Sequence, residues 1–473
     1  MDLQEFQINA HKFIDWIVKY YEEIEKYPVK SKVQPGDILK SLPDNAPLNG
    51  EDIDEIFNDF CKIIIPGITH WQSPNFFAYF PANSSYPSLL AEMLTAALGA
   101  QCMKWETSPA AAELEEKVLC WVRDIIGLPD YFSGVIQDTA STSTLAAIIC
   151  AREKYSNYEI NENGVQDVHD LKLYCSTEAH SSIEKAVKIA GLGRKCLSKI
   201  EVNNEFSIKI NELEKSIIKD ISNGKRPFCV VAALGTTGSA AVDNILEIGK
   251  ICKKYNLWLH IDAAYIGSVL LLQEYRYLIK GIEYADSFVF NAHKWLFTNF
   301  DCSLFFVKDK VNLISTFEIL LPEYLKTNPD NIVNNYCDWG IPLGRRFRAL
   351  KLWFILRNYG VKGLQEKLKY HISLGKMFKE LVLNDNDFEL LAPAIFNVTC
   401  FRYNPNNQIS KEELNRINKE LLFKINKTGK IYMTHTKLNG NFTLRFVIAQ
   451  TNVQERNVIN AWKLIKEIIL TLI

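Results

Sequence analysis

The 473-residue sequence lacks any run of about 18 apolar residues, the length that a membrane-spanning helix needs. It also lacks a surplus of either charge. With a formal net charge of -1, it gives no electrostatic reason to expect nucleic acid or an anionic membrane as partner. Its 11 cysteines include no CxxC pair, which argues against a zinc site and for reduced thiols rather than a disulfide framework. No metal is expected. Internal repeats, heptads and low-complexity tracts are absent, and the acidic, amphipathic opening from Met1 to about Glu25 does not resemble a secretory signal. What remains is an ordinary globular chain, 48% hydrophobic and 23% charged, long enough for two or three domains and expected in the cytoplasm.

The most informative stretch present is Ser287-Phe288-Val289-Phe290-Asn291-Ala292-His293-Lys294-Trp295, an apolar strand pattern that ends abruptly in polar residues. Open α/β sheets deliver reactive groups at such strand ends. A lysine among large apolar neighbours loses its proton more readily, and a neutral amine condenses with an aldehyde. A lysine snorkelling out of the strand end is the plain alternative. Trp258-Leu259-His260-Ile261-Asp262 is a second short apolar strand, and it stops on a carboxylate. A lysine to hold an aldehyde and an acid to keep a pyridine nitrogen protonated are the pair that pyridoxal phosphate (PLP) chemistry requires.

Other segments follow the same plan. Gly134 to Thr144, rich in small and hydroxyl residues, leads into the helical Leu145-Ala146-Ala147-Ile148-Ile149, and such residues before a helix leave free N–H groups that suit a phosphate. Tyr174-Cys175-Ser176 leads to His180 and a capped helix, and Val230 to Leu234 leads to a Gly235-Thr236-Thr237-Gly238 turn. Asp243, just beyond, reads as a helix N-cap. Ser108 and Pro109 mark another helix start. Strands alternating with helices from about 134 to 307 imply a mostly parallel sheet with right-handed crossovers. Asn439-Gly440 marks a hairpin turn in a smaller α+β region at the C-terminal end. Trp71 to Ala82 is an aromatic, proline-broken loop, and Leu321 to Asn331 has the polar, proline-broken composition of a second loop.

Asn291-Ala292-His293-Lys294-Trp295, His260-Ile261-Asp262-Ala263-Ala264-Tyr265 and Ala179-His180-Ser181-Ser182 together resemble the group II PLP-dependent amino-acid decarboxylases. The likeness covers nearly the whole chain and is greatest to the aromatic L-amino-acid decarboxylases. It implies the fold type I architecture of aspartate aminotransferase, in three parts. These are a helical dimerisation segment over 1–85, a large PLP-binding α/β domain over 86–361, and a small α+β domain over 362–473. By the same resemblance Lys294 carries PLP, Asp262 faces the ring nitrogen, and His180 stacks on the ring and meets the substrate carboxylate. Ala140, Ser141, Asn291 and His293 hold the phosphate, and Thr237 lies beside the 3-hydroxyl. Tyr324 donates a proton to the substrate carbon, with Tyr336 as a rival.

The resemblance also outlines a substrate pocket. Trp71, Tyr79, Phe80, Pro81 and Ala82 would line it, Ala82 replacing the threonine of animal dopa decarboxylases. Gln101 and Met103 stand where the animal enzymes carry an isoleucine and a phenylalanine supplied by the partner subunit. Gly344 leaves space where some plant relatives place a serine, and in those relatives the small residue accompanies indole substrates. Arg445, in Leu444-Arg445-Phe446, would organise the carboxylate side of the site or form a structural ion pair. The implied protein is a homodimer that converts an aromatic L-amino acid to its amine and CO2. An aromatic aldehyde synthase, or another fold type I enzyme such as an aminotransferase, is the alternative.

Overall fold

The computed structural model describes residues 1–165, 170–318, 333–405 and 409–472. They form two compact units. One comprises residues 82–372 and 392–396; the other comprises 1–81, 373–391 and 397–473.

The larger unit is built on a seven-stranded sheet of β1 (Ser133–Gln137), β2 (Leu171–Ser176), β3 (Leu197–Ile200), β4 (Arg226–Ala233), β5 (Trp258–Asp262), β6 (Ser287–Asn291) and β7 (Ser303–Val307), in spatial order β1-β7-β6-β5-β4-β2-β3. Strands β3, β2, β4, β5 and β6 are parallel; β7 runs against both β6 and β1. Every residue of β5, β6 and β7 is buried, as expected for strands covered on both faces. That is why these stretches read as unbroken apolar runs rather than alternating ones. Helices Ala140–Tyr155 and Ile245–Tyr255 follow β1 and β4.

The helix after β4 corrects one sequence expectation. Its N-cap is Asn244, whose side chain accepts from Glu247 N at 3.2 Å. Asp243 instead turns inward. Its carboxylate accepts from Ile208 N at 2.7 Å and Ala233 N at 2.8 Å, so it satisfies backbone donors at the end of β4 and in the 202–208 segment. Burial pushes its pKa up to about 6, with these hydrogen bonds opposing. The helix Pro109–Ile126 does begin where Ser108-Pro109 indicates, although Ser108 makes no side-chain capping bond.

In the smaller unit β8 (Phe388–Leu390), β9 (Val398–Tyr403), β10 (Thr434–Leu438) and β11 (Asn441–Val447) make an antiparallel sheet in the order β10-β11-β9-β8. Asn439 (φ +51°) and Gly440 (φ +77°) turn the β10–β11 hairpin, both in the left-handed region that the Asn-Gly pair tolerates. Its core stacks Phe378 on Phe446 (4.0 Å between centroids) and Phe446 on Phe77 (4.1 Å), which ties the aromatic loop into this unit. The helix Leu3–Glu22 starts with a capping box of Asp2 and Glu5 and buries only Asn9. Leu3, Phe6, Ile8 and Val18 are exposed on it. No helix among the described residues is long and apolar enough to cross a membrane.

Candidate active site

Because β1 is antiparallel to β7, and β7 to β6, β1 points the same way as β2, β4, β5 and β6. All five strands therefore end on one edge of the sheet. Asp138–Ser141 follows β1, Thr177–Ser182 follows β2, Gly235–Gly238 follows β4, Asp262 ends β5 and Asn291 ends β6. The register places Ala233 opposite Asp262, and Asp262 opposite Val289. Candidate residues scattered over about 155 positions of sequence meet because parallel strands deliver their C-terminal ends together.

Lys294 lies on the short helix Ala292–Trp295 directly after β6. Its backbone is pinned from outside the helix: Asn83 Nδ2 donates to Lys294 O at 2.6 Å, and Asn83 N donates to His293 O at 2.9 Å. Ser85 Oγ donates to Phe297 O at 2.7 Å, fixing the exit of the same turn. Asp262 is 9% exposed, and its Oδ1 accepts from Ala264 N at 3.1 Å. His180 stands at the open side, with Nδ1 and Ser182 Oγ 2.8 Å apart. Its pKa is held below the ordinary histidine value, first by desolvation and then by the Lys294 charge, with the Asp262 carboxylate opposing. His180 is thus neutral at pH 7. The two charges that it senses are those of the lysine and the aspartate, so the three share one field.

The other residues that the resemblance assigns to the cofactor lie after the ends of β1, β4 and β6. Ala140 and Ser141 form the first turn of the helix Ala140–Tyr155, where backbone N–H groups have no acceptor within the helix. Thr237 is exposed on the turn after β4. That turn needs its glycine: Gly235 has φ +100°, and a Cβ there would lie 2.2 Å from Ile266 Cγ1. Asn291 is 3% exposed, and its Oδ1 has no hydrogen-bond partner among the described residues. His293 is buried, and its Nδ1 accepts from Cys302 N at 2.8 Å. Burial and the Lys294 charge push its pKa down to about 3, so it offers a neutral ring whose Nδ1 is already engaged.

Of the pocket residues, Ala82, Gln101, Met103 and Gly344 belong to the larger unit. Gln101 fills the space beside Gly344: its Nε2 would be 3.2 Å from a Cβ at that glycine, while its Oε1 accepts from Arg345 N at 2.6 Å. Met103 O accepts from Cys337 N at 2.9 Å. Trp71, Tyr79, Phe80 and Pro81 belong to the smaller unit, where Trp71 stacks on Tyr79 at 5.7 Å. Arg445 serves this loop. It is 3% exposed, donates from Nη1 to Tyr79 O at 2.8 Å, and lies 4.5 Å from the Phe80 ring centroid.

Tyr324 falls in 319–332 and lies outside the described residues. Tyr336 is described and is a core residue, 2% exposed, with the Arg345 guanidinium 4.9 Å from its ring centroid and Trp339 edge-on at 5.3 Å. Burial raises its pKa well above the ordinary value. Asn83, Ser85 and the loop-holding part of Arg445 are not evident from sequence, because each acts through backbone groups remote in the chain. Only the placement of Asn83 directly after the aromatic loop hinted at anything.

A lysine and a carboxylate ending neighbouring strands, with a helix N-terminus on the same edge, is the working arrangement of the fold type I PLP enzymes. Residues 35–404 match the pyridoxal-dependent decarboxylase conserved domain, and the chain belongs to that family of PLP-dependent enzymes. It is 42% identical to tryptophan decarboxylase 2 of Oryza sativa subsp. japonica, across 99% of this chain and 95% of that protein. It is 43% identical to phenylacetaldehyde synthase of Arabidopsis thaliana, across 99% and 96%. Among solved structures, Catharanthus roseus tryptophan decarboxylase in complex with L-tryptophan superposes with a TM-score of 0.94 at 37% identity, covering 100% of this chain and 99% of that one.

The residues present fit the cofactor. An amine, a buried carboxylate and a helix N-terminus supply the three complementary groups that PLP needs.

Proposed function

We propose that this chain decarboxylates an aromatic L-amino acid to the corresponding arylalkylamine and CO2, using Lys294, Asp262, His180 and Tyr324. The observation carrying this reading is the common electrostatic field of His180, Asp262 and Lys294 at one sheet edge. Bound PLP supplies an electron sink for the bond-breaking step. Lys294 carries the cofactor through its ε-amino nitrogen. Asp262, nearly buried, keeps negative charge where a pyridine nitrogen must stay protonated. His180, neutral, would lie beside the bound cofactor and orient the substrate carboxylate. Ala140, Ser141, Asn291 and His293 would hold the phosphate, and Thr237 would serve the 3-hydroxyl side.

Tyr324 delivers the proton to Cα after CO2 leaves. The core position of Tyr336 supports this assignment over its rival. The proton decides between amine and aldehyde, and the second outcome is a live alternative because an aldehyde synthase is among the relatives. Tyr324→Phe is expected to divert product toward aldehyde and hydrogen peroxide, with amine formation falling ~100-fold. Product analysis with an oxygen electrode measures this, and undiminished clean amine formation would remove Tyr324 from the role.

The substrate-binding residues of this reading are Trp71, Tyr79, Phe80, Pro81, Ala82, Gln101, Met103 and Gly344, with Gln101 and Met103 at positions that a partner subunit supplies. Exposed apolar residues on the helix Leu3–Glu22, and Tyr86, Leu90, Leu94 and Leu98 on Tyr86–Leu98, support a homodimer. In this division of labour residues 1–85 dimerise, 86–361 hold the cofactor and 362–473 complete the small domain, in a cytoplasmic enzyme. Arg445→Met should raise KM about tenfold without releasing PLP, since it removes a charged hydrogen bond that holds the Tyr79–Phe80 backbone. Steady-state kinetics with a cofactor titration checks it; cofactor loss at unchanged KM would contradict it.

A further inference from the structure

Beside the lysine, Trp295 is fully buried and its indole N–H donates to His371 Nδ1 at 3.0 Å. An indole nitrogen can only donate, so Nδ1 of this imidazole accepts and the ring proton sits on Nε2. His371 is 2% exposed and lies on the helical stretch beyond Gly360, where the backbone leaves helical geometry (φ +62°), with Phe297 edge-on at 5.6 Å. One face of the tryptophan stacks on Tyr265, with centroids 5.1 Å apart and planes 12° apart. Tyr265 comes three residues after Asp262, and Trp295 immediately after Lys294. One stack and one edge hydrogen bond thus link His371 to the two segments that carry the lysine and the carboxylate.

We propose that His371 is a positioning residue that fixes the rotation of the short helix Ala292–Trp295 through the indole N–H, and thereby where Lys294 presents its amine. The proposal rests on the reading that Lys294 carries the cofactor. Asn83 holds the backbone of that helix from one side, and the His371–Trp295 bond holds its side-chain face from the other. Two anchors are needed because a helix of four residues is too short to hold its own orientation. Stacking on Tyr265 sets the plane of the indole, and the directional bond at its edge sets its rotation within that plane.

The test compares His371→Leu, His371→Asn and Trp295→Phe in the full-length protein. Leucine fills the space without an acceptor, and asparagine places Oδ1 near the position of Nδ1. Phenylalanine keeps the stack on Tyr265 but removes the donor. His371→Leu is expected to weaken PLP binding ~10-fold by equilibrium dialysis and to lower kcat with KM unchanged. His371→Asn should recover both values to within about threefold, because a neutral acceptor is restored. Trp295→Phe should match His371→Leu, and the double variant should be no worse than either single one.

Equal losses in the leucine and asparagine variants, or additive losses in the double variant, would overturn the proposal. If His371→Leu fails to fold, Trp295→Phe and His371→Asn carry the same comparison. Lys294→Ala, measured beside them, separates the two readings. If it keeps the cofactor covalently bound, the lysine assignment fails whatever His371 does. If it loses the cofactor while His371→Leu binds PLP like the parent, only the positioning role fails.

Discussion

Lys294→Ala should lower turnover by ~10³-fold or more and leave PLP freely dialysable, with the absorbance of the covalently held cofactor lost. The expectation follows from where the amine stands. It is the lysine on the turn after β6, at the edge where β1, β2, β4 and β5 also end. Lys351 is a plausible competitor on chemical grounds, since burial lowers its pKa to about 8. It is ion-paired with Glu92 at 3.0 Å, however, and belongs to the helical stretch that runs from Arg348 to the break at Gly360 rather than to a strand end. A Lys294→Ala protein that keeps a covalent, reducible cofactor would shift the assignment to another lysine such as this one.

Asp262→Asn preserves the volume of the side chain and removes its charge. The kcat should fall about 100-fold to 1,000-fold, the cost of losing one preorganised electrostatic partner in a largely dry site. A second effect distinguishes this from general damage. The Asp262 carboxylate raises the pKa of His180, against burial and Lys294, which lower it. Removing the carboxylate leaves only the lowering influences, so His180 protonates at a lower pH than in the parent. The limb of the kcat/KM profile governed by His180 should therefore move toward acid. A profile that moves toward base, or a kcat within twofold of the parent, would contradict the placement of Asp262.

The strand ends carrying these residues were readable in the sequence because each fully buried strand is a short apolar run that stops on its polar residue. Asp262 and Asn291 are the last residues of β5 and β6. The Asn439-Gly440 hairpin and the Pro109 helix start were readable because turn and cap chemistry is local. Asp243 was misread for the same reason. Its spacing suits a cap, but two backbone donors from β4 and the 202–208 segment claim the carboxylate, and nothing near it in sequence announces them. Arg445 and Asn83 show the same limit. Their partners are Tyr79 O and Lys294 O, carbonyl groups 366 and 211 positions away. The antiparallel placement of β7 within a mostly parallel sheet is likewise a matter of pairing rather than composition.

The most direct test of the central claim is product analysis, aerobic and anaerobic, of the purified PLP-loaded protein with phenylalanine, tyrosine, dopa, tryptophan and 5-hydroxytryptophan, plus glutamate and histidine as controls. Amine and CO2 in equal amounts from at least one aromatic substrate, with no oxygen uptake and no turnover of the controls, is the predicted result. Aldehyde with hydrogen peroxide, or an amine released only from glutamate or histidine, would contradict it.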